Sequence, residues 1–249
     1  MSEGIRFTID GVEVTGQPGE TILKAADRAG IYIPRLCAHK ELAPFGACRV
    51  CTVMANGRPQ SACTFPIAEG MVVENDTADL RNHRRALIEM LFVEGNHFCP
   101  FCEKSGSCEL QALAIRFGMT APTWPYLFRR IEVDASHPDV FIDRNRCVLC
   151  GRCVRASRDV DGKTVFGFEG RGAGTRIAVD AAGSLARTRL AAADAAASIC
   201  PTGSIVLKRT AFHEPYGTRK FDRALIGSDI EGAGGGPNAG RTPAAGKGA

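Results

Sequence analysis

The 249-residue chain carries eleven cysteines, grouped in three sets at short spacings. Cysteine binds metal as the thiolate, and a lone thiolate is costly to bury, so dense grouping argues for a positively charged metal core among them. The count is odd, and the opening residues MSEGIRFTID lack the basic flank and apolar run of a secretory signal, so no disulfide framework is expected. No stretch of about 18 apolar residues is present, which reads as a soluble, cytoplasmic chain without a membrane partner. Basic and acidic residues nearly cancel, 31 against 27, and the arginines are interleaved with acids, so nucleic acid is not an expected partner.

The first set is Cys37, Cys48, Cys51 and Cys63, spaced Cys-x10-Cys-x2-Cys-x11-Cys. Plant-type ferredoxins hold a 2Fe–2S cluster with a close pair flanked by one earlier and one later cysteine, although their first gap is shorter. In PFGACRVC, Gly46 and Ala47 are small enough to let backbone N–H groups approach the cluster sulfurs. The second set, in HFCPFCEKSGSC, offers the thiolates of Cys99, Cys102 and Cys108, one short of the four ligands a cubane 4Fe–4S cluster asks for. His97, two residues before Cys99, is the nearest side chain with a lone pair on neutral imidazole and is expected to complete the set. His83 lies well back on the preceding helix, among Arg81, Arg84 and Arg85, and reads as solvated.

The third set, CVLCGRC with the later Cys200-Pro201, gives Cys147, Cys150, Cys153 and Cys200, the pattern by which bacterial ferredoxins hold a 4Fe–4S cube. No second such run occurs, so this unit is expected to hold one cluster. Structural zinc is a competing occupant of the first set and a weaker one of the third, where three thiolates at two-residue gaps are not typical of zinc knuckles. Together the sets use all eleven cysteines, which leaves no thiol for nucleophilic catalysis, and no catalytic residue is assigned.

Hydrophobic periodicity supplies the frame. Ile5, Phe7 and Ile9 alternate with polar residues, and Asp10-Gly11 followed by VEV completes a hairpin. Thr21 can cap a helix that Gly30 ends, and RVCTVMA, Asn56-Gly57, SACTF and MVVEN add strands and a second turn. From Thr77, Leu80, Leu87, Ile88, Leu91 and Phe92 keep helical spacing as far as Gly95, and a short helix covers about 108 to 117. APTWPYLF reads as a linker or packed connector, with Trp124 a candidate docking residue. Strands around VFIDR, TVFGFEG, TRIAV and SIVLK and an alanine-rich helix at about 189 to 198 follow. The glycines at 170 to 174 fit a loop, and no strand leads into a G-x-G-x-x-G turn for a dinucleotide.

The expected fold class is α+β. A ferredoxin-like, β-grasp 2Fe–2S domain (1–76) precedes a small helical 4Fe–4S domain (77–120) and a linker (121–136). A ferredoxin-like 4Fe–4S domain (137–225) and a Gly-, Ala- and Pro-rich tail read as disordered (226–249) complete the chain.

Over most of its length the chain resembles the amino-terminal iron–sulfur region of the large electron-entry subunit of respiratory complex I. The motifs that carry the likeness are LCAHKELAPFGACRVC with Cys63, CPFCEKSGSCELQ, and RCVLCGRC with ICPTGSI. In that family the histidine usually stands four residues before its first cysteine, where this chain has Gly95. The ending Pro215, Gly217, Arg219, Phe221 and Asp222 is similar to that of the diaphorase iron–sulfur subunit of NAD-reducing nickel–iron hydrogenases. This second resemblance implies a non-catalytic relay subunit of a hydrogen:NAD+ oxidoreductase. Its partners would be a subunit carrying FMN and NAD and the hydrogenase small and large subunits. A chain of this length folds to a radius of gyration of roughly 18 Å, so three clusters in separate units can serve as stepping stones where one could not.

Rival readings are the electron adaptor of an NAD-dependent formate dehydrogenase, a non-catalytic iron–sulfur sensor or scaffold, and a zinc-binding interaction module. Two irons for the small cluster and four for each cube make about ten per chain. Iron, zinc and acid-labile sulfide measured on anaerobically purified protein are expected to return that iron count with matching sulfide. Zinc without sulfide would end the electron-transfer reading.

Overall fold

Two Asx-Gly turns set up the first sheet in a computed structural model that describes residues 4–128, 130–180 and 184–234. Asp10 and Gly11 (φ 49° and 80°) and Asn56 and Gly57 (φ 48° and 74°) hold the left-handed conformations that two-residue hairpins with twisted strands require. The first turn joins β1 (Ile5–Ile9) to β2 (Val12–Gly16), and the second joins β3 (Thr52–Ala55) to β4 (Arg58–Ser61). With β5 (Val72–Glu74) they form one sheet of order β2-β1-β5-β3-β4, in which β1 and β5 run parallel and the other pairs antiparallel. Helix α1 (Ile22–Arg28) is capped by Thr21, whose hydroxyl accepts from the Lys24 N–H, and supplies the buried Ile22, Leu23, Ala25 and Ala26. They pack with Phe7, Ile9, Val14, Val53 and Val73, each large side chain contributing roughly 2 kcal/mol, and Cys51 and Cys63 belong to the same core. This is the β-grasp arrangement expected. The last segment differs from expectation: SACTF is a turn, because strand pairing begins earlier, at Arg58, and ends at Ser61.

Helix α2 (Ala78–Val93), capped by Thr77, crosses α3 (Glu109–Arg116), and between them Ile88, Phe92, Leu110 and Leu113 form an apolar core shared with Tyr32, Leu36 and Val50 of the first unit. Of the three arginines expected to surround a solvated His83, Arg84 is 1% exposed, while His83 itself is exposed. The Arg84 guanidinium donates to the carbonyls of Asn75 (2.7 Å), Thr52 (2.8 Å) and Val50 (3.3 Å) and to Asn75 Oδ1 (2.8 Å), pinning α2 to the strand that follows Cys51.

In the third unit β6 (Val140–Ile142) pairs antiparallel with β9 (Ile205–Leu207), and β7 (Phe166–Glu169) with β8 (Arg176–Val179). Helix α4 (Arg152–Arg155) runs directly into a π-helical turn, Ala156–Val160. The expected helix at about 189 to 198 is reduced to α5 (Ala195–Ser198). Its start is fixed by Asp161, whose carboxylate accepts from the N–H groups of Ala195 and Ala196, while Asp194 turns back to the Ala191 N–H and Lys163.

The tail also departs from expectation. Residues 226 to 232 are ordered, with Ile226 and Ile230 entering the core around Tyr32 and Glu231, on α6 (Ser228–Gly234), pairing with Arg116. An isoleucine pair at helical spacing is enough to anchor a segment that composition alone reads as disordered. The rest of that expected segment, 235–249, lies outside the described residues. Among the described residues no helix is long and apolar enough to cross a membrane.

Replacing Arg84 by Met strands three buried carbonyls and is expected to cost about 3 kcal/mol. The check is a lower denaturant midpoint for this unit, followed by circular dichroism.

Candidate metal centres

The loop between α1 and β3 folds back so that the four thiols of the first set meet. The neighbouring thiols of Cys48 and Cys63 hold the Cys37 thiol well below its ordinary value, and that of Cys63 lowers Cys51. Cys48 and Cys63 are in turn pushed well up by the same neighbours and by burial. Backbone amides join them. The Cys37 N–H donates to Cys48 Sγ (3.3 Å), and the Ala47 backbone also lowers the Cys37 thiol, as the small residues of PFGAC led one to expect. Gly46 makes the approach possible with φ 71°, a conformation that strains any side chain-bearing residue.

The second set sits at the start of α3. A 3₁₀ turn, Cys99–Phe101, presents Cys99 and Cys102, and Cys108 immediately precedes Glu109. Burial pushes Cys108 up to about 12 and raises Cys99, with the neighbouring thiols of the set adding to both shifts. Gly203, from the loop after Cys200, lies against this set so closely that a Cβ there would stand 2.6 Å from Cys102 Sγ. Arg146 donates to the same sulfur (3.7 Å) while paired with Glu103 and with Asp143 (3.0 Å).

His97 is packed edge-on against Phe92, ring centroids 5.3 Å apart. Burial lowers its imidazole to about 4, against an opposing hydrogen bond to the Leu91 backbone and with help from Arg146, so the ring is neutral at pH 7. Its Nε2 is buried without a partner, an atom with a free lone pair or proton and nothing to share it with. A metal-ligating histidine has this form, with one ring nitrogen held by a backbone carbonyl and the other offered to the metal. No hydrogen bond joins the imidazole to a cysteine sulfur among the described residues; the chain links them through the Cys99 N–H, which donates to the His97 carbonyl (3.0 Å).

The third set lines one small enclosed pocket, shared by Cys147, Cys150, Cys153 and Cys200 with Ile177, Thr202 and Ile205. Burial pushes Cys147 up to about 11 and Cys150 and Cys153 higher, and each thiol charge would raise its neighbours further. Four thiolates in such a pocket are unfavourable unless a cationic core neutralises them. Leu149 (φ 51°) turns its N–H onto Cys147 Sγ at 3.4 Å, and Gly151 (φ 66°) lies where a Cβ would stand 3.1 Å from Phe45 and 3.2 Å from Phe168.

These donor sets fit iron–sulfur clusters. A cluster spreads its ligands over two or four irons, which suits sets of four soft donors. All eleven cysteines are free thiols. The sequence reading missed the arginines between the sets. Arg152 binds Glu109 with both Nη atoms (2.7 and 2.6 Å) and the Ala38 carbonyl (2.9 Å), while Arg155 binds the carbonyls of Cys37 (2.6 Å) and Ala43 (2.5 Å). The only signal was their place in CGRCVRAS, and nothing in one dimension says that such residues face inward. Trp124 is 40% exposed, with its backbone N–H held by Glu89 (3.0 Å).

His97→Ala is expected to lose about four irons per chain while the other two clusters remain, and His97→Cys to keep them; iron content with electron paramagnetic resonance decides.

Comparison with known families matches each set in turn. A 2Fe-2S iron-sulfur cluster binding domain matches residues 2–78, the NADH-ubiquinone oxidoreductase-G iron-sulfur binding region residues 84–122, and a 4Fe-4S single cluster domain residues 140–207. The chain is 40% identical to NAD-reducing hydrogenase HoxS subunit gamma of Cupriavidus necator, over 90% of this chain and 99% of that one. It is 34% identical to the mitochondrial NADH-ubiquinone oxidoreductase 78 kDa subunit of Candida albicans and to NADPH-Fe(3+) oxidoreductase subunit alpha of Geobacter sulfurreducens, spanning only 32% and 24% of those longer proteins. A chain in the crystal structure of an NAD+-reducing [NiFe]-hydrogenase in the H2-reduced state superposes with a TM-score of 0.87 at 47% identity, over 92% of this chain and 99% of that one.

Proposed function

The chain belongs to the family of the gamma subunit of NAD-reducing hydrogenase, and on that premise we propose that it relays electrons between a hydrogenase module and an FMN- and NAD-binding subunit of a cytoplasmic hydrogen:NAD+ oxidoreductase. One observation carries the reading: each of the three family matches encloses one complete donor set. Cys37, Cys48, Cys51 and Cys63 would hold the 2Fe–2S cluster. His97, Cys99, Cys102 and Cys108 would hold one 4Fe–4S cluster, and Cys147, Cys150, Cys153 and Cys200 the other.

When bound, such clusters supply one-electron carriers whose potentials follow cluster type, burial and hydrogen bonds to sulfur. The chain's own residues set those terms. Amides of Cys37 and Leu149 donate to Cys48 and Cys147, Arg146 donates to Cys102, and the Thr202 hydroxyl lies 3.6 Å from Cys200 Sγ. Each such bond favours the anionic sulfur and so the reduced centre. Apolar packing around Cys51, Cys63, Cys108 and Cys153 keeps water from them. The neutral ring of His97 would give its centre one less negative ligand than the all-thiolate sets, which favours reduction there.

The test is the intact complex carrying Cys153→Ala. Hydrogen-driven NAD+ reduction is expected to fall at least tenfold, while hydrogen oxidation by a dye at the hydrogenase end and NADH oxidation by a dye at the flavin end persist. Full coupled activity after loss of iron from the variant would exclude the relay. Co-purification of a formate dehydrogenase in place of hydrogenase subunits would reassign the donor.

A further inference from the structure

Two buried arginines, Arg152 and Arg155, and the half-buried Arg146 lie among the cysteine sets, and they differ in what neutralises them. Arg146 is paired with Glu103 and Asp143, and Arg152 with Glu109. Arg155, 5% exposed, has no carboxylate within ion-pair distance among the described residues; the nearest acid on its own turn, Asp159, is engaged by Arg158. Its bonds go to carbonyl oxygens alone. Nη2 reaches Cys37 (2.6 Å) and Cys150 (3.4 Å), Nη1 reaches Ala43 (2.5 Å), and Nε reaches Gly151 (3.2 Å), while Phe45 covers the guanidinium face at 5.2 Å.

A buried cation with only neutral acceptors is unfavourable unless negative charge lies close by. One such guanidinium here spans the backbone of a first-set cysteine and of a third-set cysteine. Among the described residues Arg84 is the other buried arginine without a carboxylate, and its carbonyl partners at Val50 and Thr52 flank Cys51 of the first set.

We propose that Arg155 is a positioning residue that sets the reduction potentials of the first and third centres together, holding their cysteines against one uncompensated positive charge. The inference rests on the ligand reading given above. One-electron reduction adds one negative charge to a centre, supplied by the donor and passed on to the acceptor. A fixed cation beside both centres stabilises both reduced forms, so it raises both midpoints. Among the described residues no hydrogen bond of Arg155 goes to the second set, whose nearby Arg146 is neutralised by Glu103 and Asp143.

The experiment is a dithionite titration of the intact complex, with mediator dyes and electron paramagnetic resonance, for wild type, Arg155→Gln and Arg155→Lys. Arg155→Gln is expected to shift the reduction equilibrium of the 2Fe–2S signal and of one 4Fe–4S signal at least tenfold toward the oxidised form, 59 mV or more for one electron, and to leave the other 4Fe–4S signal in place. Arg155→Lys keeps the charge and is expected to keep the midpoints. Unchanged midpoints in an iron-replete Arg155→Gln complex overturn the proposal, as does an equal shift in Arg155→Lys, which would mark a purely structural contact. Should Arg155→Gln not retain iron, Ala43→Glu brings a carboxylate to the same guanidinium from an exposed position. Lower midpoints there support the proposal and unchanged ones overturn it. Failure of the ligand reading is separately visible, as wild-type complex without iron, sulfide or the three signals.

Discussion

Two guanidinium groups hold the three cysteine sets in one body. Arg152 and Arg155 stand one turn apart on α4, inside the third set, and each reaches into another unit. Arg152 meets the carbonyl after Cys37 and the carboxylate after Cys108, and Arg155 meets the Cys37 carbonyl itself. A planar fork with several donors can satisfy carbonyls from two chain segments at once, which an ammonium cannot do with the same geometry. The spacing between centres therefore depends on buried, directional bonds rather than on the short connecting segments. A relay needs that constraint, since electron transfer is sensitive to separation.

Apolar packing completes the arrangement. The core around Tyr32 contains Cys108, and Cys48, Cys99 and Val148 pack against it, so cysteines of the first two sets and the neighbour of Cys147 in the third border one dry region. The guanidinium groups of Arg35 (5.4 Å) and Arg116 (4.7 Å) lie over the Tyr32 ring, and Arg116 in turn holds the tail through Glu231 and the Ile226 carbonyl (2.8 Å). The tail thus closes over the junction of the first and second units. Low local polarity strengthens every charge and hydrogen bond at the sulfurs, so this packing acts on potentials as well as on stability.

Much of the fold was legible because its signals are local. Asp10-Gly11 and Asn56-Gly57 force their turns, Thr21 and Thr77 cap their helices through their own hydroxyls, and alternation in IRFTI places Phe7 and Ile9 inward. Where the reading erred, a partner distant in sequence decided. Asp161 sets the start of α5, and Glu231 and Arg116 fix part of a tail that composition reads as disordered.

The sequence by itself determined the chemistry: eleven thiols at ferredoxin-like spacings, a histidine beside the set that lacks one, and small residues where backbone must approach sulfur. Short spacings fix which ligands can share a cluster because a few residues span only a few ångströms, whatever the rest of the chain does. Only the tertiary structure decided how the sets relate: that Gly203 of one loop touches Cys102 of another, that His97 Nε2 is left without a partner, and that Arg155 lies between Cys37 and Cys150. Those contacts join residues tens of positions apart. Their geometry is set by which carbonyls and apolar faces remain to be satisfied once each unit has folded, a quantity that no local pattern contains.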